Sequence, residues 1–117
     1  MGEGAKGYNG WANYETWCVH LWLTNEQGSY CYWSDEAAVH RGEARDHKNV
    51  KAGIWSVEEA ARFTLADAMK ESFEQSHPFR GEHLANAKDP DVFCELLDSA
   101  LSEVRWSEIA DAFLERR

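Results

Sequence analysis

Apolar side chains recur along most of this chain at three- and four-residue spacings, the signature of helices that bury one face. From residue 13 they fall at Tyr14, Trp17, Cys18, Leu21 and Trp22, with Asn13 placed to cap the helix and Glu15 in its first turn. Val19 and Leu23 lie off that face, so only Thr16, His20 and Thr24 form a polar stripe. A helix apolar on nearly every side is expected at the centre of a small bundle, or with one face left for a partner. A hairpin competes over residues 16–33, where Trp17, Val19, Leu21 and Leu23 also alternate and "NEQG" would turn into "SYCYW". The cap and the continuing 3.6-residue period favour the helix.

Gly28 interrupts the pattern, and Ser29 is placed to cap a second helix running to about residue 43, with Tyr30, Trp33, Ala37, Ala38 and Arg41 along one side. Residues 46–54 are polar and basic and read as a linker. They deliver Trp55 directly before "SVEE", a capping box of Ser56 and Glu59 with Trp55 positioned to staple against Ala60. The helix so opened extends to about residue 75 and is expected to bury Val57, Ala61, Leu65, Ala68, Met69 and Phe73, with Pro78 beyond its end. Residues 77–88 read as a long loop with a short turn near 82–87. Asp89 and Pro90 then open the clearest amphipathic helix, predicted to face Val92, Phe93, Leu96, Leu97, Ala100, Leu101 and Val104 inward and Asp91, Glu95 and Asp98 outward. Ser107 is placed to cap the last helix, with Trp106 before it and Ile109, Ala110, Phe113 and Leu114 inward. The fold class is all-α, a compact irregular bundle of about five helices. A single helical domain over residues 11–117 would follow a flexible lead-in over residues 1–10, "MGEGAKGYNG". Trp11, Trp55 and Trp106, each just before a helix start, read as staples that fix chain entry.

A chain of 117 residues buries roughly 65% of its unfolded surface on folding and needs no metal or disulfide to do so. Its three cysteines, Cys18, Cys31 and Cys94, are odd in number and widely spaced, as expected in a reducing compartment. Without a signal-like or membrane-length apolar run, the expected location is the cytoplasm. Acids outnumber bases by 21 to 12, a net charge of −9 that repels phosphate backbones, so direct nucleic-acid binding is not expected. The nearest basic patch, Arg41, Arg45, Lys48 and Lys51 with His40 and His47, is interleaved with Glu43 and Asp46. The acid excess is steepest from Asp89 onward. Solvated faces account for most of it, but Asp91, Glu95 and Asp98, joined by Glu103, Glu108, Asp111 and Glu115, could imitate a row of phosphates. Duplex DNA, with about one charge per 1.7 Å of axis, is far denser.

No reactive constellation emerges. Cys18 and His20 are two residues apart, about 200° around a helix, and cannot chelate together as an i, i+4 pair does. Neither Cys31 nor Cys94 has a CxxC partner. None of His20, His40, His47, His77 and His83 lies in a nucleophile motif. "GYNG" lacks the strand and the Gly-Lys-Ser of a phosphate loop. The expectation is no metal, no cofactor, no catalytic residues and no enzyme, with His20 the one histidine embedded in distinctive sequence.

The run "YNGWANYETWCVHLWLTNEQGSYCYW", residues 8–33, resembles the signature of a family of small uncharacterised proteins of bacteriophages, plasmids and some bacterial and archaeal genomes. In that family a Trp-x-Asn-Tyr-Glu-Thr-Trp run precedes a Leu-Trp pair, an acidic turn and an aromatic residue. "ALSEVRWSEIADAFLE", residues 100–115, also looks like the usual end of those proteins. The resemblance implies a cytosolic accessory protein of a mobile element and supplies no activity. Small acidic proteins of such elements frequently inhibit a host protein. The expected function is therefore binding and inhibition of a host defence complex that handles nucleic acid, of anti-CRISPR or anti-restriction type, by protein–protein contact without catalysis. Trp22 and Trp33 would be the aromatic anchors, and Asp91, Glu95, Asp98, Glu103, Glu108 and Asp111 the acidic contacts. Two alternatives stand beside it: a structural module that homodimerises through surplus aromatics, and a small enzyme using His20.

Overall fold

The computed structural model describes residues 7–76 and 92–115. Within them the chain forms α1 (Tyr14–Asn25), α2 (Gln27–Glu43), the one-turn α3 (Lys48–Lys51), α4 (Val57–Gln75), α5 (Val92–Glu103) and α6 (Trp106–Leu114). The fold is an all-α irregular bundle, and residues 16–33 are helical rather than a hairpin. The Asp89–Pro90 cap, the loop over residues 77–88 and Asp91 lie outside the described residues.

The centre of the bundle is α4, not α1. Its fully buried Leu65 and Met69 join Trp33 and Ala37 of α2 and Ile109, Ala110 and Phe113 of α6 in one apolar cluster. Small residues on α4 let its neighbours close in: Ala60 and Ala61 pack with Ala44, and Trp55 and Val50 cover that contact. The helix begins where its capping box directs, with the Glu59 N–H donating to Ser56 Oγ (3.0 Å) and the Ser56 N–H to Glu59 Oε1 (2.9 Å). Of the side chains expected inside, Val57 is exposed and Phe73 only half-buried.

Several local expectations change. The linker over residues 46–54 is wound, a 3₁₀ turn at Ala44–Asp46 followed by α3. His47 caps α3 by accepting the Asn49 N–H at Nδ1 (3.0 Å), and its ring stacks on Trp55 with centroids 5.0 Å apart. The Asn49 carbonyl accepts from both Ile54 and Trp55, which closes the connection onto the start of α4. Helix α2 starts at Gln27 with extended Glu26 before it, so Gly28 sits inside the first turn and Ser29 merely donates to Glu26 Oε1 (3.1 Å). Helix α6 starts at the buried Trp106, one residue before the expected cap Ser107.

The segment before α1 is also built. Tyr8 and Trp11 exchange backbone hydrogen bonds (2.9 and 2.7 Å) around Asn9 and Gly10, at φ 47° and 88°. Two consecutive positive φ values are what a type I′ turn requires, and Asn-Gly is the pair that adopts them most readily. The last residues of the expected lead-in therefore form a tight turn. It lays the Tyr8 ring against Tyr14 (5.2 Å) and Trp17 (5.0 Å).

Candidate docking groove

The most distinctive run of the sequence, "WANYET", is a clamp. Asn13 Oδ1 accepts from the Thr16 N–H (2.9 Å) and from Thr16 Oγ1 (2.7 Å), while Asn13 Nδ2 donates to the Glu103 carbonyl (2.7 Å). Thr16 Oγ1 in turn accepts the Arg105 N–H (2.8 Å), and the Ala12 N–H donates to Glu108 Oε1 (3.1 Å). These bonds fasten the start of α1 to the corner between α5 and α6. They also decide which side of α1 faces inward.

That side is the polar stripe. Thr16 is fully buried, and Leu23 is buried two turns on. His20 lies between them, its ring 4.4 Å from Trp11 and 5.9 Å from Phe113. The apolar face expected in the core is turned out: Tyr14 is half exposed and Trp22 is 66% exposed. The physical reason is that a helix apolar on nearly all sides gains little from one orientation over another, so the satisfied hydrogen bonds of Asn13 and Thr16 select it.

Held in this orientation, α1 forms one wall of an open apolar groove of about 480 Å³. Tyr14, Cys18 and Trp22, spaced i, i+4, i+8, make its ridge, and Leu97 and Leu101 of α5, with Val104 just past its end, face them. Among the described residues, Glu15 is the one charged residue in the lining. Helix α5 extends the apolar surface outward, because its buried residue is Cys94 while Val92, Phe93 and Leu96, expected inside, are 61%, 64% and 62% exposed. Along the ridge, the electrostatic influence of Cys18, followed by its hydrogen bond, pushes the Tyr14 phenol above its ordinary value.

The structure sorts the residues expected to meet a partner. Trp22 stands exposed on the groove wall. Trp33 does not reach a surface: at 6% exposed it is a core residue between α4 and α6, because α2 packs on α4 through that face. Glu95 and Glu103 are exposed on α5, and Asp98 is half-buried with the Cys94 thiol 3.8 Å from its carboxylate. Glu108 and Asp111 are committed within the fold. Glu108 takes the Ala12 N–H, and Asp111 takes Arg62 Nε in a 2.7 Å ion pair that raises the arginine's pKa. Asp91 lies outside the described residues. His40 shares a hydrogen bond with Thr64 (2.8 Å) and stands 3.7 Å from Glu36.

Sequence reasoning identified the Tyr14, Cys18, Trp22 spacing but placed it in the core. The signal that could have redirected it was the Asn13-x-x-Thr16 pair, whose second member has a hydroxyl to satisfy on the opposite side. Among the described residues, no group of three or more His, Cys, Asp and Glu side chains is placed to hold a metal ion. No helix among them is long and apolar enough to cross a membrane.

Compared with known proteins, residues 4–78 match DUF7249, a family of unknown function. No curated protein and no solved structure matches the chain.

Proposed function

Because the chain belongs to DUF7249, a family of unknown function, we propose its role from the surface it presents: a non-catalytic interaction protein that docks through the α1–α5 groove. The observation that carries this reading is the exposure of Trp22, Phe93 and Leu96 beside an open apolar groove. Large apolar side chains gathered at the surface of a small domain mark an interaction site, whereas scattered ones do not. Trp22 has the character of an anchor, an aromatic that a partner can enclose and desolvate.

Resemblance of residues 8–33 to phage and plasmid proteins, together with the −9 net charge, supports a mobile-element protein acting in the host cytosol. Its target is a nucleic-acid-binding defence complex of CRISPR or restriction type. The Lys- and Arg-rich channels of such complexes attract an acidic protein and speed its association. Exposed Glu95 and Glu103 suit that role better than Glu108 and Asp111, whose carboxylates already hold Ala12 and Arg62. Binding calls for no cofactor, no membrane and no direct contact with nucleic acid.

The test is affinity capture from host lysate at low and high salt, with mass-spectrometric identification and a cleavage assay on the purified complex. The expected result is a nucleic-acid-binding complex held at low salt, partly released at high salt, and inhibited in cleavage. Capture of no such complex at either salt rejects the reading. A second reading is favoured by the exposed apolar side of α5, which would also suit a homodimer. Light scattering that returned twice the chain mass would put it first.

A further inference from the structure

We infer that the α1–α5 groove takes a single amphipathic helix of a partner protein, with apolar anchors along one side and lysine or arginine flanking them. The inference rests on the docking reading above and specifies what the groove accepts.

Shape argues for a helix. Both walls are helices whose backbone groups are bonded internally, so an extended peptide would find no sheet edge to pair with. The ridge from Tyr14 to Trp22 spans eight residues, about 12 Å at 1.5 Å per residue. That length matches two turns of an incoming helix, whose side chains at i, i+4 and i+7 would lie between the ridge and Leu97 and Leu101.

Charge decides the flanks. Helices α1 and α5 carry Glu15, Glu95, Asp98 and Glu103 and no lysine or arginine. Glu15 lines the groove, and Glu103 is exposed one turn beyond Ala100, which also lines it. A helix with basic flanks meets Glu15 on the α1 wall and Glu103 at the edge of the α5 wall. A second copy presenting the same groove would set these acids against their own kind, and an anionic lipid surface would be repelled in the same way.

The full-length protein can be tested by anisotropy with dye-labelled synthetic helices of about 16 residues, some 24 Å long. One peptide has leucine anchors and lysine flanks, one has glutamate flanks, and one keeps the lysines but replaces the leucines with serine. The lysine-flanked leucine peptide should bind saturably at low salt, the glutamate version about tenfold or more weaker, and the serine version not at all. Trp22→Ala should weaken binding by roughly thirtyfold. The paired reversal Glu15→Lys with Glu103→Lys should invert the preference toward the glutamate-flanked peptide, which a merely unfolded variant could not do. Equal binding of the two leucine peptides, no saturable binding, or indifference to Trp22→Ala would overturn the inference. Lysate capture uses no peptide, so failure here leaves the docking reading to its own test. Failure there with success here would keep the groove's specificity and discard the defence complex.

Discussion

Thr16 is a polar residue fully buried on a helix that is apolar on most sides, and it is there because both sides of its hydroxyl are satisfied. Oγ1 donates to Asn13 Oδ1 and accepts the Arg105 N–H. Thr16→Val keeps the shape but leaves that N–H without its acceptor, so urea unfolding should show a loss of about 1–3 kcal/mol. Thr16→Ser retains both bonds and gives up one methyl group, and should lose only about 1 kcal/mol. Tyr14 offers a second measurement. Its neighbours favour the neutral phenol, with Cys18 the largest influence. In an absorbance titration Tyr14→Phe should therefore remove a step lying above the ordinary tyrosine value of about 10, and Cys18→Ala should bring that step down. The sign for stability follows from the raised folded value. Tyr14's contribution is complete below the unfolded pKa and disappears as pH rises through the folded one, so only the wild type should lose it there.

At the scale of elements, α4 and α5 contrast although both present apolar stripes. Leu65 of α4 is enclosed on every side, whereas Leu96 of α5 is mostly in water. Thermal or urea unfolding should register about 2–5 kcal/mol for Leu65→Ala. Leu96→Ala should stay within about 0.5 kcal/mol while weakening partner capture. Where an element is started by its own sequence, the start was readable: Asn13 caps α1, and Ser56 with Glu59 opens α4. Ser56→Ala should accordingly cost about 1 kcal/mol in the same unfolding measurement. The Asn9–Gly10 turn was less readable, since its doublet is a hairpin signal only between strands and Tyr8 and Trp11 form a single isolated bridge. Gly10 sits at φ 88° with open space where a Cβ would go, so Gly10→Ala should lose about 1–2 kcal/mol from backbone strain alone.

For the whole molecule, the acid surplus and the apolar groove act over different ranges. Charge reaches about 10 Å at moderate salt, so it governs the encounter, while Trp22 and its neighbours govern residence. Raising salt should slow association with a basic partner far more than it speeds dissociation, a split that surface plasmon resonance would resolve. The sequence by itself determined what depends on neighbours three and four residues apart: that the chain is helical, where α1 and α4 begin, and that α6 buries Ile109, Ala110 and Phe113. It could not determine which side of α1 faces the core, because residues apolar around most of the axis leave the burial energy nearly the same in every orientation. Tertiary structure settled that through the bonds from Asn13 and Thr16 to Glu103 and Arg105, partners about 90 residues away along the chain. The same contacts turned Tyr14, Cys18 and Trp22 outward and made a groove of what the periodicity alone assigned to the interior.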